Sequence, residues 1–399
     1  MRIAFIVGSF SLLSQTFVYE RVTELVRQGH DVHVITMKRA LAVERPYEQV
    51  HEISSPGLIR RRLLNLQIWL RGIATEDANK VECNRYAGYY RKKIADIISK
   101  IEPDIIHAEF GPMGTLAAPV ANKLKLPMVL FMHGFDITLL GKQEKWRQCY
   151  RSMWPSIDLV LIPSEFMRER VIELGAPPDK TIVQHNGIDV NVWQFSDPSK
   201  RFDGSRVVFL FVGRLVEKKG LLQLVQAFGE CRKRFDGDIE SRLVICGNGP
   251  LLHDVESLIA KSGLTDSVEL LGSCSHDKVR EVMQNAHIMV QHNVTAKNGD
   301  MEGLPVSLTE AAAISLPIIS TRHSGIPEIV MDGVNGFLVD ENDISGMAKH
   351  MTTLMRMPQE WSRMGSAGRK LVLQEFEQSE VILQYIEKVE DVRKNFSHR

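Results

Sequence analysis

Short apolar runs separated by amphipathic stretches recur along the whole chain. In the first half they lie at 3–7, 32–36, 104–108, 128–132, 159–162 and 181–185. They are too continuously apolar for a sheet wetted on one face, so they predict strands covered on both faces. The stretches between them carry apolar residues at helical spacing. After a polar segment at 194–205 the rhythm restarts with runs at 207–213, 242–247, 268–272, 287–292 and 317–321. Alternating strand and helix predicts an α/β protein with a parallel sheet and right-handed crossovers in each half. A length of 399 residues suits two such domains. The polar segment sets the expected boundary, 1–193 and 194–378, and a last helical segment, 379–399, is expected to pack back across the first domain. Sheets of this kind bind ligands beyond the carboxyl ends of their strands, so the loops at those ends are where chemistry is sought.

Composition narrows the partners. Forty-nine basic residues balance 49 acidic ones, which gives no global pull toward nucleic acid. Five cysteines, an odd number without a C-x-x-C pair, read as reduced thiols in a cytoplasmic chain. The start, Met1-Arg2 followed by an apolar run, imitates a signal peptide but breaks at Gly8-Ser9 and fits a buried first strand better. No apolar stretch reaches the ~20 residues that span a bilayer. Between 60 and 93, Arg60, Arg61 and Arg62 stand beside Leu63, Leu64, Ile68 and Trp69, with Arg85, Arg91, Lys92 and Lys93 following. Cations beside bulky apolar residues suit either a solvated helix face or a reversible interfacial helix on an anionic membrane.

The segment richest in chemistry is Met301-Glu302-Gly303-Leu304-Pro305, followed by an Ala-rich run containing Glu310. Pro305 suits a first helical position, and Gly303 lets backbone N–H groups approach a ligand. An E-x7-E spacing alone also fits two solvated glutamates on a surface helix. Gly213-Arg214 closes the first strand of the second half and Lys219-Gly220 opens the next helix, which puts two cations where a diphosphate could bind. Gly247-Asn248-Gly249-Pro250 follows the next strand and would let a base or ribose lie against bare backbone. In the first half, Gly8-Ser9 ends the first strand and leads to Ser14-Gln15-Thr16, which could cap a helix or meet a phosphate. His133-Gly134-Phe135-Asp136 follows the run at 128–132; a lone histidine there is either structural or catalytic. Asn186-Gly187-Ile188-Asp189 is a further edge loop, suited to turn formation or ligand contact. No G-x-G-x-x-G follows the first strand, which weakens a nicotinamide reading.

Taken together, G-R-L-V-E-K-K-G, G-N-G-P, M-E-G-L-P-V-S-L-T-E-A, H-S-G-I-P-E and the upstream H-G-F-D resemble retaining glycosyltransferases of family 4, and among them bacterial exopolysaccharide enzymes of the colanic acid and amylovoran type. The resemblance implies the GT-B fold, two Rossmann-like domains facing across a deep cleft. It implies a nucleotide-sugar donor, a UDP-sugar, and a saccharide or polyprenyl-diphosphate-linked acceptor at the inner face of the cytoplasmic membrane, with no metal and no other cofactor. It assigns His133, Glu302, Arg214 and Lys219 to catalysis. Gly8, Gly213, Asn248, Gly249, Gly303, Leu304 and Glu310 fall to donor binding, and Ser14, Gln15 and Asp136 to the acceptor side. Many relatives have E-x-F-G-L-x-x-x-E; here the eight-residue step survives but Gly303-Leu304-Pro305 follows Glu302 directly, so the sugar-facing loop differs. Competing readings are a nucleotide-sugar epimerase or a phosphorylase on the same fold, and a non-catalytic polysaccharide-assembly factor.

Overall fold

The computed structural model describes every residue except 13–14, 59, 63, 65–85 and 398–399. Most of the basic segment at 60–93 therefore lies outside the described residues. In its described part, the Arg60 guanidinium lies over the Tyr89 ring and Arg61 donates to the Pro56 carbonyl. The chain forms two compact units, Met1–Gln184 with Ile382–Arg399, and His185–Val381.

The first unit is built on a parallel sheet of β1 (Arg2–Val7), β2 (Asp31–Thr36), β3 (Val50–Glu52), β4 (Ile105–Glu109), β5 (Met128–Phe131), β6 (Leu159–Ile162) and β7 (Thr181–Val183). Its order is β3-β2-β1-β4-β5-β6-β7. The second has β8 (Arg206–Val212), β9 (Glu240–Cys246), β10 (Val268–Gly272), β11 (Ile288–Val290), β12 (Ile318–Thr321) and β13 (Gly336–Val339), in the order β10-β9-β8-β11-β12-β13. Both orders are doubly wound. The direction of winding reverses between β1 and β4 in one sheet and between β8 and β11 in the other, and a ligand crevice opens beyond the carboxyl ends at such a reversal. Two strands, β3 and β13, had no counterpart among the apolar runs. Each sits at a sheet edge, is three or four residues long, and needs only one apolar neighbour to be worth pairing.

Burial explains why the runs look as they do. Every residue of β4, β5 and β6 is buried, because helices cover both faces. In β4 that includes His107 and Glu109, polar groups whose withdrawal from water has to be compensated. The core of the second unit gathers Phe209, Phe211, Phe228 and Trp361. The C-terminal helix, Gln378–Ser397, places Ile382, Tyr385 and Val389 in the core of the first unit beside Phe5 and Phe131. The loop Asn186–Asp189 meets the entry to that helix: Ile188 N–H donates to the Phe376 carbonyl at 2.7 Å and Gln378 N–H to the Ile188 carbonyl at 3.1 Å. Gly187 is required there, because a Cβ would stand 2.8 Å from Gln378 Cα. Among the described cysteines, Cys231, Cys246 and Cys274 are free and Cys149 is disulfide-bonded, which departs from the expectation of thiols throughout.

At Gly220 the backbone has φ +57° and a Cβ would meet the His292 carbonyl oxygen at 1.6 Å. Gly220→Ala is expected to destabilise the second unit by ~2 kcal/mol or more. Urea unfolding followed by Trp361 fluorescence would show it, and an unchanged midpoint would contradict this packing.

Candidate functional site

In the second unit, β8 delivers Gly213 to the sheet edge and the chain turns through Arg214, a short 3-10 turn at Glu217–Lys219 and the left-handed Gly220 into helix Leu221–Arg234. Arg214 is exposed. Lys219 is buried, with Nζ 3.3 Å from Glu302 Oε2, while Nζ of Lys218 lies 3.5 Å from Glu302 Oε1 and 3.1 Å from Asp300 Oδ1. Against the penalty of burial, the charges of Lys219 and Lys218 hold the Glu302 carboxyl down to about 2. The two lysines respond in opposite senses. Burial pushes the Lys219 ammonium down despite Glu302, and Lys218 beside it adds to that push. Lys218 is itself raised, because Glu302 and Asp300 outweigh its burial. Lys218, Asp300 and their bond were not foreseen from the sequence, although the doubled lysine in E-K-K-G was in view.

The loop containing Glu302 is braced from behind by the H-S-G-I-P-E segment. Glu302 N–H donates to His323 Nε2 at 3.1 Å, so that ring carries its hydrogen on Nδ1 and donates it to Glu341 Oε1 at 2.6 Å. Glu341 also accepts from Thr295, and its carboxyl lies below the ordinary range because these bonds and the His323 ring outweigh burial. The Gly303 carbonyl accepts from Ser324 Oγ at 3.0 Å and Gly325 N–H at 3.2 Å. The N–H groups of Gly303 and Leu304 make no hydrogen bond to a described residue, and they stand just before helix Val306–Ala313. Pro305 precedes that helix in extended conformation, ψ 113°, instead of occupying its first position as expected. Glu310 lies within the helix, buried, with His276 Nε2 at 3.4 Å and the His276 ring edge-on to Trp193. Burial pushes its carboxyl up, with His276 and Lys219 opposing.

The glycines of the Gly247–Pro250 loop have a different reason from the one expected. A Cβ on Gly247 would stand 1.8 Å from the Gly213 carbonyl oxygen, and one on Gly249 2.5 Å from that of Leu215. The close approach they permit is to the neighbouring loop of the same unit, sealed by Leu215 N–H donating to the Asn248 carbonyl at 3.0 Å. Asn248 Oδ1 accepts from Gly249 N–H.

In the first unit, Gly8 ends β1 and Gln15 precedes helix Thr16–Arg27 without a side-chain cap bond; Ser14 lies outside the described residues. Asp136, expected on the acceptor side, is wholly buried instead, its oxygens accepting from Gly111 N–H at 2.8 Å and His133 N–H at 2.9 Å. Burial pushes its carboxyl up. The His133 ring is enclosed by Phe131, Phe110 and Phe17, with centroids 4.6, 4.6 and 4.8 Å away, and its Nε2 lies 2.7 Å from Glu109 Oε1. Glu109 also receives Arg21 and His107. None of these three was singled out from the sequence. The available signal was an imidazole and a carboxylate two positions apart at the ligand end of an otherwise apolar strand, hence on one face. No cluster of three or more His, Cys, Asp or Glu side chains among the described residues is placed to hold a metal ion.

Comparison with known proteins matches residues 14–192 to the family described as Glycosyltransferase Family 4 and residues 194–371 to that described as Glycosyl transferases group 1. The amylovoran biosynthesis glycosyltransferase AmsK of Erwinia amylovora is 30% identical, over 95% of this chain and 96% of its own. The chain belongs to glycosyltransferase family 4. A protein of Salmonella typhimurium named as a colanic acid biosynthesis glycosyltransferase, WcaL, shares 29% identity with this transferase over 96% of it and 97% of the relative. The crystal structure of Anabaena HepE in complex with UDP superposes with a TM-score of 0.77 at 18% identity, covering 98% of the transferase and 100% of HepE. That likeness establishes the GT-B architecture of two parallel-sheet domains.

The Glu302 shift has a sign that can be checked in acid. A carboxyl held below its unfolded value stabilises the fold fully above about pH 4.5 and loses that contribution as pH falls toward about 2. Stability of the transferase should therefore drop more steeply across this window than that of Glu302→Gln. Parallel acid unfolding curves for the two would contradict the assignment.

Proposed function

We propose that this glycosyltransferase moves a hexose, with retention, from a UDP-hexose to a lipid-linked saccharide during polysaccharide assembly at the cytoplasmic membrane face. The observation that carries this reading is the meeting of Lys219, Lys218 and Glu302 at the ligand edge of the second sheet, with Arg214 and Glu310 on the adjoining elements. Arg214 and Lys219 take the donor diphosphate and neutralise the charge that grows on the leaving nucleotide, in place of a metal. Glu310, buried with spare hydrogen-bonding capacity, takes the ribose hydroxyls. Glu302 and the N–H groups of Gly303 and Leu304 grip the hydroxyls of the sugar in transit, and His133 meets that sugar as well.

In the transfer step the acceptor hydroxyl approaches from the leaving-group face. The bond from its oxygen to the sugar's anomeric carbon forms as the bond from that carbon to the diphosphate oxygen breaks. The hydroxyl proton passes to a donor phosphate oxygen, so the sugar keeps its configuration and the nucleotide leaves as UDP. The names of WcaL and AmsK favour polysaccharide assembly, and the HepE complex favours UDP. No helix among the described residues is long and apolar enough to cross a membrane, so access to a lipid-linked acceptor would fall to a surface segment, for which Arg60–Arg62 are the candidates.

Calorimetric titration is expected to show UDP binding more tightly than GDP, without divalent metal; no binding of either at millimolar concentration would sink this reading. Lys219→Ala and Glu302→Ala should each cost ~3–4 kcal/mol of transition-state stabilisation, seen as a fall of ~10²–10³-fold in kcat, and turnover near that of the parent would refute the roles given to them. Replacing Arg60–Arg62 with Ser should reduce pelleting with anionic vesicles while leaving UDP affinity unchanged, and equal pelleting would return the segment to a solvated face.

A further inference from the structure

Glu109 has no solvent contact and receives more donors than neutralising it requires. Arg21 Nη1 lies 2.8 and 2.9 Å from its two oxygens, with the guanidinium also packed over Phe131 at 4.1 Å. One arginine already balances one carboxylate. Two imidazoles are added to it: His107 Nε2 at 2.7 Å from Oε2 and His133 Nε2 at 2.7 Å from Oε1. Behind His107, its Nδ1 lies 2.9 Å from the Tyr385 hydroxyl on the C-terminal helix.

The chemistry of these groups permits one arrangement of hydrogens. Despite complete burial, Arg21 and the two imidazoles hold the Glu109 carboxyl well below its usual range, and an ionised carboxylate only accepts. Both histidines therefore carry hydrogen on Nε2. Tyr385 donates to His107 Nδ1, while His133 Nδ1 makes no hydrogen bond to a described residue. The orientation of the His133 ring is set by its aromatic enclosure, one member of which is strained. Phe110, the residue after Glu109, has φ 73° and ψ 144°, a conformation costly for a residue with a side chain. Its N–H donates to the Phe131 carbonyl at 2.7 Å, and its ring stands 4.6 Å from that of His133.

We propose that Glu109 is a positioning residue for the transfer reaction. It fixes His133 with hydrogen on Nε2, so that Nδ1 is the atom presented to the sugar nucleotide, and the Tyr385–His107 pair holds the second carboxylate oxygen in register. In the neutral ring Nδ1 is an acceptor, which selects a hydroxyl of the transferred sugar over a phosphate oxygen. This rests on the reading that His133 meets the transferred sugar.

Two measurements test it. In the ¹⁵N-histidine-labelled parent protein, the long-range ¹H–¹⁵N couplings of His133 should report the Nε2–H form; the Nδ1–H form would overturn the proposal whatever the variants do. Release of UDP from UDP-glucose or UDP-galactose, whichever the parent turns over, should then be compared in Glu109→Gln, His133→Ala and the double variant. Glu109→Gln should lower kcat ~10–100-fold, taking as a guide the range seen when the hydrogen-bond partner of a metal-ligating imidazole is removed, with the KM for donor little changed. The double variant should be no slower than His133→Ala alone, because Glu109 acts through that ring. Losses that multiply, or an active Glu109→Gln beside an impaired His133→Ala, would refute the positioning role alone. A His133→Ala variant as fast as the parent would instead refute the assignment of His133, and the proposal with it. Should Glu109→Gln fail to fold, Tyr385→Phe leaves the Arg21–Glu109 pair intact. It should lower kcat at unchanged UDP affinity, and parent-like kcat in that variant would overturn the chain from Tyr385 to Glu109.

Discussion

A carboxylate taken out of water has to be met by positive charge or by hydrogen-bond donors, because an unpaired buried ion costs several kcal/mol. Buried Glu109 and Glu310 and the largely covered Glu302 of this transferase meet that demand in different ways. Glu109 is surrounded and stays ionised. Glu302 shares two ammonium groups and stays ionised. Among the described residues Glu310 has a long contact to His276 and the charge of Lys219, and burial still lifts its carboxyl. All three lie near the carboxyl ends of strands or on the loop and helix that follow them. Each parallel sheet therefore does more than hold its strands: it brings to its own carboxyl edge the cations, imidazoles or N–H groups that its carboxylates need when withdrawn from water.

How much of this could be read in advance depends on how far apart the partners lie in the chain. The apolar runs coincide with β1, β2 and β4 to β12, because strands covered by helices leave continuous apolar stretches. The edges β3 and β13 were silent, being only three and four residues long. Glu302 and Glu310 were legible because they lie eight positions apart and a turn falls between. Lys219 was legible because it closes a strand-to-helix turn. The Glu109 cluster was not, since Arg21 is 88 positions from Glu109 and Tyr385 is 278 from His107, and only the order of strands and the return of the C-terminal helix join them. Asp136 misled for the opposite reason. Its neighbours His133 and Gly134 suggested an open polar loop, whereas its carboxylate is consumed by two backbone N–H groups.

The loop from Met301 to Pro305 is where this chain departs from the commoner pattern of its relatives, yet it is not loosely held. His323 grips the Glu302 backbone, Glu341 grips His323, and Ser324 and Gly325 hold the Gly303 carbonyl. The residues of this loop are thus held by a rigid frame that belongs mostly to the separate H-S-G-I-P-E segment. A comparable division holds at Gly247 and Gly249, whose missing side chains serve loop-to-loop packing.

The pairing of Lys218 and Lys219 with Glu302 bears on which molecules can enter. With Lys218 and Lys219 already balanced by Asp300 and Glu302, these two lysines offer a passing anion little. A free phosphate that drew Lys219 away would leave the largely covered Glu302 with one cation fewer, and the loss would offset the gain. A ligand carrying a diphosphate and a polyol together can replace both sides of the ion pair, phosphate oxygens for the lysine and hydroxyl hydrogens for the carboxylate. Under the function proposed above, the ion pair would favour such bifunctional molecules over small anions.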